Sequence, residues 1–546
     1  MTDTNTQADR ILLESFVAFL RHAVTQRHSG HADACSIWLR AASHLHGIDG
    51  DSISALTYSL IRHGSVDAAI SIAQCIAWLE PDSAAASFRL GYVLQVANRH
   101  GDAVAPYRHA MAIDADVPLL RNNLAMALRA SGRGQEEEIS LLESAVAADP
   151  TSSEPWINLA ISWRTRLNLE KAIFAGAQAV SLVPDSPLAL NNYALVLKEA
   201  RRWEEAEFHA KRACEVAPND ASLRFNLAIL HLARGNYADG WREHEARWDG
   251  SEELSGLRPK LPGLPWHGQS LSGKTLLVWG EQGMGDLLQC CRFIPMLANR
   301  VHQDGGRLVW NSFPQMGKLL ARAFGEHVDA YTAGGGVEAL PEFDYQVPLL
   351  SLPSVLGTGA DVASHIVPYL RADRDAREAW RERLAAETRL KVGLAWTGSR
   401  THQRNPFRRV EIERLASSFA DIEGVAFYSL QPGAVADIAA AKKAGLDIVD
   451  YTAEFGDFDD TAAFVGALDL VVTVCTSVAH LSGALGQRTW VLLDVNPHWT
   501  WLLDRRETPW YPGARLYRQH QFAQWAPVLD EVRNDLSALA QARKSY

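Results

Sequence analysis

The spacing of apolar residues changes halfway along the chain. Up to about residue 250 they recur three or four positions apart, in runs separated by short polar turns, which predicts helices. Two such patterns, LLESFVAFLRHAV and ACSIWLRAASHL, fall within residues 1–48. From Thr275 onward the apolar residues gather instead into short continuous runs. TLLVW (275–279), RLVW (307–310) and DYQVPL (344–349) form a first group of predicted strands. KVGLAW (391–396), VAFYSL (425–430), DIVDY (447–451), LDLVVTV (468–474) and TWVLLD (489–494) form a second. Helical stretches separate most of them, so each group predicts a parallel sheet covered on both faces.

The helical half repeats. Pro150, Pro184 and Pro218 stand 34 residues apart, and Pro81 lies on the same lattice, with Ala115 in the proline's place one unit later. A second ladder runs in phase: Gly91, Ala125, Ala160, Ala194 and Ala228, each preceded by Leu or Tyr. The small residue lets two helices approach, and the proline ends one unit and opens the next. This period and pattern resemble tetratricopeptide repeats, about five and a half units over roughly 50–250. One position earlier stand Arg89, Asn123, Asn158, Asn192 and Asn226. In that repeat family the position faces the concave groove, so the four asparagines are expected to bind the backbone of an acceptor peptide. Hydrogen bonding between helices is the other reading of the same amides. The O-linked N-acetylglucosamine transferases, which this arrangement resembles, carry such an asparagine ladder. The expected division is a helical cap at 1–48, repeats at 49–250, a Pro/Gly/Ser-rich linker at 251–272, lobes at 273–388 and 389–525, and a final helix at 526–546.

Candidate chemistry lies at the ends of the predicted strands, where parallel sheets bind ligands. TLLVW leads into GEQGMGD, a glycine turn before a helix, where a ligand can approach the backbone at Gly283 and Gly285. Asp286 closes that turn. It either caps its own helix or serves as a general base. After KVGLAW comes TGSRTHQRNPFRR, with Arg400, His402, Arg404, Arg408 and Arg409; after VAFYSL comes Gln431. After LDLVVTV comes CTSVAHLSGALG, where Thr476 and Ser477 open a helix. Arginines beside a helix start suit a phosphate or diphosphate.

Composition narrows the classes. A net charge of −11 gives no general support to a nucleic-acid partner. No apolar run approaches the ~18–20 residues of a membrane span. The opening MTDTNTQADR does not read as a signal peptide, and six scattered cysteines suit a reduced, cytoplasmic chain.

LLVWGEQGMGDLLQCCRF, GLAWTGSRTHQRN, FYSLQPG, DFDDTAAFVGALDLVVTVCTSVAHLSGALG and WTWLLDRRETPWYP resemble bacterial proteins that join tetratricopeptide repeats to a lobe pair similar to the family 9 heptosyltransferases. The resemblance implies an all-α solenoid followed by an α/β GT-B fold of two Rossmann-like lobes. It also implies inversion at the sugar carbon and no required metal or cofactor. The first lobe would face the acceptor and the second the nucleotide sugar. Asp286 matches the family's proposed base. Gly283, Gly285, Arg400, Arg404, Gln431, Thr476, Ser477 and His480 are the expected donor contacts. One departure matters: Cys475 stands where the family has an acid expected to touch the donor sugar. The chain is also similar to alphaproteobacterial flagellin glycosyltransferases. That likeness implies a CMP-linked nonulosonic acid as donor and Ser or Thr of flagellin as acceptor. Transfer to lipid or polysaccharide, and a non-catalytic scaffold with nucleotide-sensing lobes, stay open as alternatives.

Overall fold

The computed structural model describes residues 7–281, 283–357 and 367–544. The opening six residues and Gln282 of the glycine turn lie outside them. The chain forms two compact units, Met1–Val196 and Leu197–Tyr546.

The first unit is a stack of antiparallel helix pairs, a tetratricopeptide-like solenoid. Gly50–Arg62 pairs with Val66–Leu79, Ala84–Val96 with His100–Ile113, Leu120–Ala130 with Gln135–Ala148, and Ser153–Thr165 with Leu169–Leu182. Pro81, Pro150 and Pro184 fall in the turns between pairs. The small-residue ladder is buried: a Cβ on Gly91 would stand 2.6 Å from the Tyr107 ring, and Ala125 and Ala160 are sealed. The helices Gln7–His28 and Ala32–Leu45 cover the first pair, with Phe16, Leu20 and Ala23 packed among Ile72, Cys75 and Ile76.

The turn inside each pair carries a residue in the left-handed region. These are Gly64, Asn98, Gly132, Leu167, Arg201 and Gly235, so the repeat has a further ladder that runs through both units. Glycine adopts this conformation freely, whereas Leu167 and Arg201 hold it at a steric cost.

The second unit begins with the last repeats, including the helices Trp203–Val216, Ala221–Ala233 and Tyr237–His244. Two wholly parallel sheets follow. The first holds β1 (Leu264–Pro265), β2 (Thr275–Trp279), β3 (Arg307–Ser312), β4 (Ala330–Ala333) and β5 (Tyr345–Pro348), in the order β1-β5-β2-β3-β4. The second holds β6 (Leu390–Ala395), β7 (Val425–Ser429), β8 (Ile448–Val449), β9 (Leu470–Val474), β10 (Thr489–Leu493) and β11 (Ala514–Arg518), in the order β11-β10-β9-β6-β7-β8. Every predicted strand is present. β1, β4 and β11 were not predicted, and β1 puts part of the expected linker into the first sheet.

In each sheet the chain winds outward in one direction, then returns to wind the other way. The reversal falls between β2 and β5 in the first sheet and between β6 and β9 in the second. At such a point the loops leave in opposite directions and open a crevice beyond the strands' carboxyl ends. The final helix, Ala526–Lys544, lays Val528, Leu529, Val532 and Leu536 on the second sheet.

The last repeat is built into this α/β body. Trp241 packs edge-on against Trp499 at 5.0 Å, and the Trp510 indole donates to the Tyr237 hydroxyl at 3.1 Å. No helix among the described residues is long and apolar enough to cross a membrane.

Candidate functional site

The first crevice is filled by the protein itself. Glu281, just past β2, is buried against the equally buried Arg247 of the last repeat. Arg247 donates from Nε and Nη2 to the two carboxylate oxygens, each at 2.8 Å. The Leu350 backbone N–H donates to Glu281 at 3.0 Å, and Arg247 also reaches Ser351 at 2.9 Å. A bidentate pair with its remaining sites bonded leaves little capacity for a ligand.

The second crevice is built differently. Beyond β6 the chain runs through Thr397 and Gly398 into the arginine loop. Asn405 folds back, and its Oδ1 accepts from Gly398 N at 3.0 Å and from Arg408 Nε at 3.3 Å. Arg408 lies so close over Gly398 that a side chain at 398 would displace the guanidinium. Among the described residues Arg408 makes no ion pair. Its charge bears on Asp286, His402, Cys475, His480 and His498.

Arg404, an expected donor contact, is already engaged. It donates to Glu199 at 3.0 Å and to the buried Asp494 at 3.3 Å. Arg400 is exposed on the same loop. Gln431 accepts from Thr397 N at 3.4 Å. Thr476 caps the helix Ser477–Ala484 by accepting from Val478 N at 3.1 Å, and Ser477 is half-buried at its first position. Cys475 is half-buried, and its Sγ accepts from the Trp501 indole at 3.1 Å. Beyond β10 and β11 a cavity of about 230 Å³ opens, lined by Asp494, Arg505, Arg518 and Gln519.

The glycine turn faces this second crevice. Gly283, with φ +99°, holds the cap position of the helix Met284–Cys290, so Asp286 stands inside the helix and is not its N-cap. A Cβ on Gly283 would strike the Asp286 carboxylate, and one on Gly285 would stand 2.9 Å from the His480 ring. The two glycines thus make room for these side chains. His480 is buried, and its Nδ1 meets the Tyr511 hydroxyl at 3.0 Å.

Asp286 keeps 32% of its side-chain surface accessible, yet it stands in a recess walled by protein. Burial, and after it the charges of Glu281 and Glu253, push its carboxyl up to about 7, against the pull of Arg408. His498 Nε2 lies 3.6 Å from Asp286 Oδ1. Burial, then His402 and Arg408, push the His498 imidazole down to about 3, so it is neutral at ordinary pH. A half-ionised carboxylate beside a neutral imidazole and a guanidinium can accept a proton next to a bound anion. His498 escaped the sequence reading because it lies 212 positions from Asp286 and belongs to no motif.

In the solenoid, Asn158 donates to Asn122 Oδ1 at 2.9 Å and accepts from Arg129 at 2.9 Å. Asn122 donates to Asn123 at 3.2 Å. Both ladder residues are buried, as the inter-helix reading expects. Asn192 donates to Leu188 O at 2.9 Å within its own helix, and Asn226 is half-buried.

No family model matches the chain. It is similar to Protein FlbA of Caulobacter vibrioides, at 28% identity over 482 residues, covering 83% of this chain and 78% of that protein. Among solved structures it is similar to MamA from Desulfovibrio magneticus, at 18% identity and TM-score 0.28, over 31% of this chain and 95% of that one. It is also similar to a thermophilic TPR protein of Thermus thermophilus, at 20% identity and TM-score 0.30, over 34% of this chain and 100% of that one.

Proposed function

We propose that the chain is a cytoplasmic protein glycosyltransferase of the GT-B kind, its repeats holding a polypeptide while the α/β body transfers a sugar from a nucleotide. The observation that carries this reading is the second crevice, where Asp286, with its carboxyl near 7, shares one recess with the unpaired Arg408. The donor phosphate lies against Arg408 and the helix start at Thr476 and Ser477. Asp286 takes the proton of a Ser or Thr hydroxyl as its oxygen attacks the anomeric carbon. The bond from that carbon to the phosphate oxygen breaks, and the nucleotide leaves with the electron pair. Arg408 steadies the charge that builds on the departing phosphate. A CMP-linked nonulosonic acid is the proposed donor, since its carboxylate suits an arginine-rich cleft with Cys475 in place of an acid. Flagellin is the proposed acceptor.

One observation favours a second reading of acceptor capture. Asn158 spends its amide on the preceding repeat, and the Asn123 oxygen is taken by Asn122 of its own helix, so the polypeptide is then gripped through other solenoid side chains. The test is nucleotide release from the donor, measured with and without acceptor protein. Release that rises with acceptor supports transfer. No release under either condition supports a nucleotide-sensing scaffold, and release driven only by a lipid or polysaccharide moves the acceptor class.

A further inference from the structure

Asp286 stands beside a chain of polar groups that the reaction above leaves unused. His498 lies in the loop beyond β10, and its Nδ1 is 2.8 Å from the hydroxyl of Thr500. The Thr500 backbone N–H also points to this nitrogen, at 3.5 Å. The Thr500 hydroxyl in turn is 2.9 Å from the side-chain amide of Gln289. Gln289 sits one turn after Asp286 on the same helix, so the chain leaves that helix and returns to it. Thr500 and Gln289 are fully buried.

The orientation of the Gln289 amide decides which way these bonds run. With its oxygen toward Thr500, the Gln289 Nε2 is a buried donor without a partner. Turned over, the amide N–H donates to Thr500 Oγ1, and only an amide oxygen is left unpaired, which costs less. Thr500 then gives its own proton to His498 Nδ1, and the imidazole proton must sit on Nε2. That N–H faces Asp286 Oδ1 at 3.6 Å, just beyond hydrogen-bond reach. Such contacts are often long without substrate and tighten when it binds. Asp286 Oδ2 lies on the Gly283 side, where residue 283 has no side chain of its own to cover it.

We propose that His498 is the positioning residue of Asp286: the directed chain from Gln289 through Thr500 aims the imidazole N–H at one carboxylate oxygen and leaves the other for the acceptor hydroxyl. This rests on the glycosyltransferase reading for the use of the proton, but the pairing itself does not need it. The imidazole is a donor throughout and takes no proton from the aspartate. Other charges act on the pair as well. Glu281 and Glu253 raise the carboxyl and Arg408 lowers it. His402 and Arg408 act on His498, which in turn acts on His244 and His480. The His498 N–H, aimed at Asp286 Oδ1 from 3.6 Å, favours the ionised carboxylate through its dipole, so its loss raises the Asp286 midpoint.

The test is the titration of Asp286 in the full chain carrying carbon-13 at aspartate carboxyls, with Asp286→Asn identifying the signal. His498→Ala is expected to raise the midpoint by roughly one pH unit. Thr500→Val, which keeps the side-chain shape, should shift it the same way by less, and His498→Gln, which restores an N–H donor, should return it part of the way. In assays of transfer, the acid limb of kcat/KM should move with the midpoint while the donor KM stays constant. An unchanged midpoint in both His498→Ala and Thr500→Val, with the proteins folded, overturns the proposal. A shifted midpoint with no transfer to any acceptor keeps the pairing and overturns the glycosyltransferase reading.

Discussion

A carboxylate whose pKa is raised on folding weakens the folded state at higher pH. Asp286 goes from 3.8 to about 7, mainly through burial. Between those values the folded chain holds the proton more firmly than the unfolded one, so stability falls as pH rises across the window. Asp286→Asn should therefore stabilise the protein at pH 8 by about 1–2 kcal/mol, a figure reduced from the full shift because the group is partly exposed. The gain should vanish near pH 4, and thermal melts at both values check it. A second residue-scale prediction separates the arginines. Arg408→Ala should weaken nucleotide binding by ~1.5–3 kcal/mol, the range for a hydrogen bond to a charged group, as read by calorimetry. Arg404→Ala should act first on stability, since it strands Asp494 and Glu199. The sequence ranked these two the other way. Both arginines sit in one loop, and only the fold shows which of them the neighbouring carboxylates occupy.

Among the elements, what could be read from the chain followed from periodicity. β2 matched TLLVW residue for residue, because a buried parallel strand is a continuous apolar run. β4 (AYTA) is a partly exposed edge strand, and two arginines interrupt the apolar residues of β11 (ARLYR), so neither has that signature. The left-handed turn ladder was hidden for another reason. Glycine marks it at three positions, but Leu167 and Arg201 occupy it without any turn signal. Leu167→Gly should relieve the strain and stabilise the solenoid by about 1 kcal/mol, less the entropy that glycine adds to the unfolded chain. Chemical denaturation of the variant would measure this. The asparagine ladder stands as a pattern in the sequence, while the partners of Asn158 depended on how successive repeats stack.

For the molecule as a whole, the expected linker suggested cutting near residue 251. The structure makes that cut costly, since it removes Arg247 and leaves Glu281 a buried, unpaired charge, a loss of about 3–5 kcal/mol. It also strips Trp241 from Trp499. A chain starting near residue 185 keeps these contacts and should fold, bind nucleotide and fail to capture the acceptor, whereas one starting at 251 should not fold. Circular dichroism and nucleotide titration of the two chains decide this. The buried Arg247–Glu281 pair could not be read from sequence, because the two residues belong to segments that read as different kinds of protein.

The central claim is that Asp286 and the second crevice move a sugar onto a polypeptide. The direct measurement is the intact mass of flagellin co-produced with the full chain and a source of the nucleotide sugar. The wild-type chain should add whole sugar masses, and Asp286→Asn, folded and still binding nucleotide, should reduce the rate by about 10²–10⁴. Unmodified flagellin with the wild-type chain, or equal modification by wild type and Asp286→Asn, would contradict it.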